Sequence, residues 1–212
     1  MISRCFSAGE DFGVVGITRG SDVMQTGDTV SFAEVGTLAR IIHFDVPQTG
    51  LIHIRCVGSS RFRIQRCEQM QDGLWAGDVE TITDDQMVPL QADLKRPAQA
   101  LGELIEALQR QGISEEEMPV LPPYRLDDCG WVANLWCEIL PISLAEKQNM
   151  LELDSPLVRL ELVNDMFLNK TEGGGPEEDR TPDLRIANAT LSKLSYRPLF
   201  LQRLNAACCD NT

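Results

Sequence analysis

The stretch Leu51-Ile52-His53-Ile54-Arg55-Cys56-Val57-Gly58-Ser59-Ser60-Arg61-Phe62-Arg63-Ile64 limits the fold most. Apolar residues alternate with polar ones on both sides of one glycine. Period-two alternation is the mark of half-buried strands, so the chain has either two strands here or one sharply bent strand broken at Gly58. Its neighbours extend the pattern. Phe12-Gly13-Val14-Val15-Gly16-Ile17 is β-rich, Gly20 to Ser31 reads as a loop, and Gly36 to Phe44 alternates again. Asp45-Val46-Pro47-Gln48-Thr49-Gly50 reads as the turn of a hairpin, and Asp72-Gly73 as a turn between Phe62–Cys67 and Leu74–Ile82. The first half is thus expected to be a meander of about five short strands, rolled or closed into a small barrel.

Near Pro89 the period changes. Leu94, Leu101, Leu104, Ile105 and Leu108 recur at helical spacing, and Gly112 closes the run. Ser114 to Pro123 is an acidic, proline-bearing loop. Asp127 is placed to cap a helix through Trp131, Leu135 and Ile139. Ser143 with Glu146 fits a capping box, and Ser155-Pro156 opens a last helix whose apolar stripe is Leu157, Leu160, Val163 and Phe167. Strands first and helices second make the expected class α+β. The expected division is a β-rich part over 1–88, a helical part over 89–170, and a linker and tail over 171–212. Glu172 to Asp179 has the composition of a disordered linker.

The net charge is −13, and residues 1–170 alone carry 26 acidic and 14 basic side chains, a balance of −12. An acidic surface repels phosphate backbones and argues against nucleic acid as a partner. A local basic stripe at Arg61, Arg63 and Arg66 is the exception to weigh. Arg61 and Arg63 share a strand face, and Arg66 joins them only if a bulge intervenes. No apolar run is long enough for a bilayer, and no basic-then-apolar leader opens the sequence, so a cytoplasmic protein with no membrane partner is expected. The seven cysteines, Cys5, Cys56, Cys67, Cys129, Cys137, Cys208 and Cys209, form no Cys-x-x-Cys pair. They read as reduced and mostly buried.

Catalytic chemistry has little to stand on. No Gly-Lys-Ser or Gly-Lys-Thr phosphate loop is present, and Gly173-Gly174-Gly175 runs into Pro and acids. Ser192-Lys193 are neighbours without a supporting motif. The two histidines, His43 and His53, flank the hairpin turn, where Asp45 or Cys56 would complete a metal site. The bland alternative is a pair of surface histidines. Cys56 or Cys67 with His53 would make a nucleophile pair, against buried strand cysteines. Glu115-Glu116-Glu117 and Asp127-Asp128 read as a loop charge run and a helix start. Trp131 and Trp136 lie five apart on one helix and do not share a narrow face. Trp75, with Met70 and Leu74, forms an apolar rim around the Asp72-Gly73 turn, suited either to extended peptide or to core packing.

Several motifs in order resemble one family, the N-terminal substrate-binding domain of Lon-type proteases. They are Phe12-Gly13-Val14-Val15, Gly36-Thr37-Leu38-Ala39-Arg40-Ile41, Val57-Gly58 with Arg61-Phe62-Arg63-Ile64, and Trp75-Ala76-Gly77-Asp78-Val79-Glu80. Leu140-Pro141-Ile142, Glu146-Lys147-Gln148-Asn149-Met150-Leu151-Glu152 and Arg159-Leu160 follow in the helical half. The resemblance covers about Met1 to Leu168. It implies a PUA-like β-roll followed by a helical subdomain, no cofactor, and binding of unfolded or misfolded protein segments without cutting them, in concert with a protease or chaperone. Gly36, Gly58, Arg61, Phe62, Lys147 and Gln148 are then family signatures of structural character. PUA-like folds also bind RNA, which is the alternative function. Family members usually open with a strand-turn-strand unit that this sequence lacks, so missing strands and an exposed sheet edge are expected. Asp179 to Pro198 resembles a stretch recurring at the ends of unrelated bacterial sequences, translated across the opposite strand of a transfer-RNA gene. The tail is therefore expected to be disordered or a readthrough product.

Overall fold

The computed structural model describes residues 1–20, 30–48, 51–112, 118–172 and 200–201. The chain divides into two compact units, Met1–Asp84 with Tyr196–Thr212, and Asp85–Ser195. Antiparallel strands come first and helices second, so the class is α+β.

The first unit opens with α1 (Ile2–Ala8), followed by β1 (Phe12–Val14), β2 (Ile17–Arg19) and β3 (Ser31–Phe32). Two long strands, β4 (Val35–Gln48) and β5 (Leu51–Gln69), dominate it, and β6 (Trp75–Thr81) follows. A two-residue strand, β7 (Phe200–Leu201), closes a barrel in the order β1-β4-β5-β6-β7, while β2 and β3 pair apart. One expectation is corrected here and one open choice is decided. The strands are not uniformly short, since β4 continues through the expected turn at Asp45 as far as Gln48. At Gly58 the choice between two strands and one bent strand falls to the bent strand, because β5 runs through it. The reason is a bulge: Thr37 pairs with Arg61 and Ala39 with Gly58, so β5 carries one extra residue at Ser59-Ser60. A bulge bends and twists a strand without ending it. Ser59 Oγ holds the bend, within hydrogen-bond distance of the Leu38 carbonyl (3.3 Å) and Asp11 Oδ2 (3.2 Å).

At the centre of this unit Phe62 and Val15 are buried, with Phe32, Leu38, Ile64, Trp75 and Val79 packed around them. Gly36, paired with Phe62 across the ladder, makes that packing fit. A Cβ at Gly36 would stand 2.5 Å from Val15 Cγ1, 2.6 Å from Phe62 Cζ and 2.6 Å from the Val14 carbonyl oxygen. Gly36→Ala is therefore expected to destabilise by about 1–3 kcal/mol, the range for overpacking. A urea midpoint equal to that of the parent would refute this.

The second unit begins with a short 3-10 turn at Ala92–Leu94 leading into α2 (Lys95–Arg110). Then come α3 (Cys129–Ile139), α4 (Leu144–Glu152) and α5 (Pro156–Glu172). The stripe Leu101, Leu104, Ile105 and Leu108 of α2 is buried, and Gly112 beyond its end takes φ +72°, as the sequence predicts for a helix stop. Asp128, one residue after the expected cap, accepts from the Gly130 N–H and starts α3. The Ser143–Glu146 capping box is present, and α5 starts at Pro156 with Leu160, Val163 and Phe167 buried. Trp136 is core, donating to the Pro97 carbonyl at 2.9 Å and meeting the Phe167 ring edge-on, whereas Trp131 is half-buried beside Tyr124.

Most of the tail, including Ser192-Lys193, Cys208 and Cys209, lies outside the described residues, as does the Glu115-Glu116-Glu117 run.

Candidate functional site

The paired ribbon of β4 and β5 extends beyond Arg40↔Val57 toward Gln48↔Leu51. Its register sorts the side chains. On one face Ile41 is opposite Cys56 and Phe44 opposite Ile54, with Ile52 two residues further along. On the other face His43 is opposite Arg55 and Asp45 opposite His53. A one-residue register slip would exchange these faces. The bulge at Ile42 performs that exchange within β4 and so keeps Ile41 and Phe44 on the same side.

Helix α1 covers part of the apolar face. Cys5, Phe12, Ala39 and Ile41 are buried there, with Met1, Ile2, Val14, Phe44 and Ile54 packed against them. The Phe6 ring stacks on Phe44 at 5.2 Å and 16°. Beyond this cover the apolar strip continues uncovered. Phe6 is 43% exposed, Ile52 48% and Val46, two residues past Phe44, 50%. The strip resembles the solvent-facing half of a binding groove: large side chains on a rigid hydrogen-bonded ladder, with no charge among them.

The rim expected at Met70, Leu74 and Trp75 is only partly assembled. Met70 and Leu74 meet across the turn, where the Met70 N–H donates to the Leu74 carbonyl at 2.7 Å, and Met70 is exposed. Trp75 is half-buried and turns into the core, edge-on to Phe32 at 4.9 Å and 83°. The other signatures have structural partners. Phe62 fills the barrel and Gly36 gives it room. Lys147 Nζ donates to the Glu138 carbonyl at 2.9 Å, and desolvation lowers its pKa. Gln148 Nε2 donates to Glu152 at 2.7 Å, one helical turn on.

The arginine row does form. Ile64 pairs with Val79 and Arg66 with Asp78, so an extra β5 residue brings Arg66 onto the face of Arg61 and Arg63. That face also carries acids: Glu80 opposite Arg63, Asp78 opposite Arg66, and Glu34 at 3.5 Å from Arg63.

The histidines do not meet across the ladder; each faces a charged residue of the opposite strand. Among the described residues no cluster of His, Cys, Asp and Glu could hold a metal ion. The five described cysteines are free, and Cys5 and Cys129 are buried. Cys56 and Cys67 are exposed, a correction to the expected buried strand cysteines. Both lie on β5, whose ladder satisfies the backbone and leaves these two side chains open to water. Desolvation raises the Cys56 pKa, away from the thiolate a nucleophile needs. Burial likewise pushes Cys137 up to about 11, beside Met150 Sδ at 3.0 Å.

Sequence reasoning missed two features. The ribbon strip was hidden because Val46 fell inside an expected turn and Phe6 before the first expected strand. Arg159, noticed only as part of a family motif, is 2% exposed and donates to Asp85 Oδ2 (2.7 Å), Asn134 Oδ1 (2.8 Å) and the carbonyls of Met150 (3.1 Å) and Leu153 (2.6 Å).

Residues 1–169 match the family model of the ATP-dependent protease La (LON) substrate-binding domain. The chain belongs to this family. It is similar to the crystal structure of a Lon N-terminal domain protein from Xanthomonas campestris, at 28% identity and a TM-score of 0.52, covering 77% of this chain and 80% of that one. The N-terminal domain of the Mycobacterium avium complex Lon protease also matches, at 18% identity and a TM-score of 0.40, over 72% of this chain and 89% of that one. No curated protein matches the chain. The family is a substrate-binding one. Among the described residues no helix is long and apolar enough to cross a membrane.

Proposed function

We propose that this Lon-type domain binds exposed apolar segments of unfolded or misfolded proteins and presents them, cutting nothing itself. The observation that carries the reading is the exposed apolar strip of Phe6, Val46 and Ile52, continuous with half-buried Phe44 and Ile54 and set on a ladder whose opposite face is charged. Burying two such side chains against a client contributes about 1.5–3 kcal/mol each, so even half of that is worth about tenfold in affinity. The domain acts beside a protease or chaperone that consumes what it presents, in a reducing, cytoplasmic setting to which its free cysteines are suited.

The test is binding of a labelled, permanently unfolded protein, such as reduced and carboxymethylated lactalbumin. Val46→Asp with Ile52→Asp is expected to weaken binding about tenfold or more. Both residues are exposed, so the melting temperature should barely move. Undiminished binding would overturn the assignment to this strip. Met70→Ser with Leu74→Ser tests the turn rim as the alternative contact. The aligned arginines favour a second reading, RNA binding, which would announce itself as affinity falling steeply with salt. The acids facing Arg63 and Arg66 weigh against it.

A further inference from the structure

We propose that Asp11 is a positioning residue for the client strip: by holding Ser59 it selects the doubly bulged form of the β4–β5 ribbon, which turns the apolar face of the ribbon toward α1. The inference rests on the client-binding reading above and says what aims that site.

The two bulges of the ribbon cancel. Between Thr37↔Arg61 and Ala39↔Gly58 the extra residue is on β5, and between Ile41↔Cys56 and His43↔Arg55 it is on β4. From Thr37 to His43 and from Arg61 to Arg55 both strands therefore advance six residues, and an unbroken ladder would keep the same pairs outside the bulges. Within it Ala39 would oppose Ser59, Arg40 would oppose Gly58, Ile41 would oppose Val57 and Ile42 would oppose Cys56. What changes is the face. Successive side chains alternate, and each bulge reverses the alternation of its own strand. In the bulged form the side of Phe12 and Ala39 continues through Ile41 to Phe44 and Ile54, where Cys5 and Phe6 of α1 pack. In the unbroken ladder the same side would run from Ala39 and Ile41 to His43 and Asp45, with Arg55 and His53 opposite them. Helix α1 would then meet charge, and Phe6 would be parted from Phe44, Val46 and Ile52. The unbroken ladder is a competitor because Ile42 and Val57, both exposed in the bulged form, would gain Cys56 and Ile41 as partners.

Asp11 distinguishes the two ladders. It precedes Phe12 and lies on the side of Arg40, whose Nε donates to Asp11 Oδ1 at 2.7 Å. Arg40 occupies that side in either ladder, so the ion pair favours neither. Ser59 differs. The bulge carries it to the side of Arg40, where its Oγ is 3.2 Å from Asp11 Oδ2. In the unbroken ladder it would stand opposite Ala39, on the other side of the sheet. Its one hydroxyl proton also lies within reach of the Leu38 carbonyl at 3.3 Å, and the charged acceptor is the stronger of the two. The Asp11–Ser59 contact is thus made only in the form that joins Phe6 to the ribbon strip.

The native Cys56 supplies the test. In the full chain, Ile42→Cys adds one thiol at an exposed position. Positions 42 and 56 point to opposite sides in the bulged form, which forbids a disulfide, and stand directly opposite each other in the unbroken ladder. Oxidation with diamide and tryptic mapping measure the rate of the 42–56 cross-link. Asp11→Ala or Ser59→Ala is expected to raise it about tenfold, the weight of one hydrogen bond to a charged group. Each should also weaken binding of carboxymethylated lactalbumin about threefold or more, since Phe6 leaves the strip. Arg40→Gln should leave the rate unchanged. Asp11→Asn, which keeps an acceptor for Ser59, should undo most of the effect of alanine. In Asp11→Ala without the added thiol, backbone proton contacts by NMR report the same choice, Ile41 or Ile42 against Cys56. An unchanged cross-linking rate, with the Ile41–Cys56 contact retained, overturns the proposal. So does a raised rate with client binding undiminished. In either case the client reading stands if Val46→Asp/Ile52→Asp, which leaves Asp11 and Ser59 in place, loses the client, and both fall if that variant keeps it.

Discussion

Replacing Arg159 with methionine should remove about 3 kcal/mol from the stability of the helical unit. The side chain is 2% exposed and its guanidinium spreads over four acceptors. Asp85 lies at the start of the unit, Asn134 on α3, and Met150 and Leu153 at the end of α4, so one residue of α5 ties three other segments together. Methionine matches the volume but withdraws the Arg159 donor from all four acceptors. Removing one partner of a buried ion pair costs about 3–5 kcal/mol, because the remaining charge stays where water cannot fully reach it. The lower end applies here, since the Asp85 side chain is 18% exposed and the Met150 carbonyl also accepts from the Leu153 N–H. Lysine should rescue little, because its point charge cannot fork among diverging acceptors as a planar guanidinium does. Adding Asp85→Asn to Arg159→Met should recover part of the loss by removing the charge that Arg159 neutralised. The measurement is urea unfolding followed by the emission of Trp131 and Trp136, both in this unit. A loss below about 1 kcal/mol would mean that water replaces Arg159 without difficulty.

The contrast between Arg159 and the helix signals around it shows what a sequence can display. Ser143 and Glu146 are three residues apart, and the cap they form is local, so it is legible. The same holds for Pro156 at the start of α5 and for the buried stripe of α2. Arg159 meets Asp85 across 74 positions, and no periodicity reports such a pairing. In the β unit alternation revealed the strands but not their lengths. Residues Asp45 to Gln48 and a glycine at 58 look like breaks, yet bulges absorb them and the ladder continues. The error reached the candidate site. With Val46 assigned to a turn, Phe44, Val46, Ile52 and Ile54 could not be seen as one face. Trp75 drew attention to the β5–β6 turn instead, because its neighbour Phe32 lies between the expected loop ending at Ser31 and the expected strand starting at Gly36. Motif order was more informative than any single motif, because Gly36 and Phe62 acquire meaning only as a pair.

That pair is also the place to test the barrel. Phe62 is fully buried, between Gly36 of β4 and Thr81 of β6. Phe62→Ala is expected to destabilise by about 3–5 kcal/mol, the sum of lost transfer energy and an unfilled cavity. The more discriminating experiment combines it with Gly36→Ala. Alone, the new methyl at position 36 collides with the Phe62 ring, Val15 Cγ1 and the Val14 carbonyl oxygen. Once the ring is gone, the methyl gains room on one of those three sides and occupies part of the cavity. The double variant should therefore be more stable than the sum of the two single losses predicts, by about 1 kcal/mol. Full relief is not expected. Val15 can shift its side chain, but the Val14 carbonyl belongs to the ladder with Thr37 and cannot retreat without breaking it. Strict additivity in urea unfolding, followed by Trp75 emission, would mean that the ring and the methyl do not compete for the same space. In that case the close approach of β4 to β1, rather than the aromatic ring, is what requires glycine at position 36.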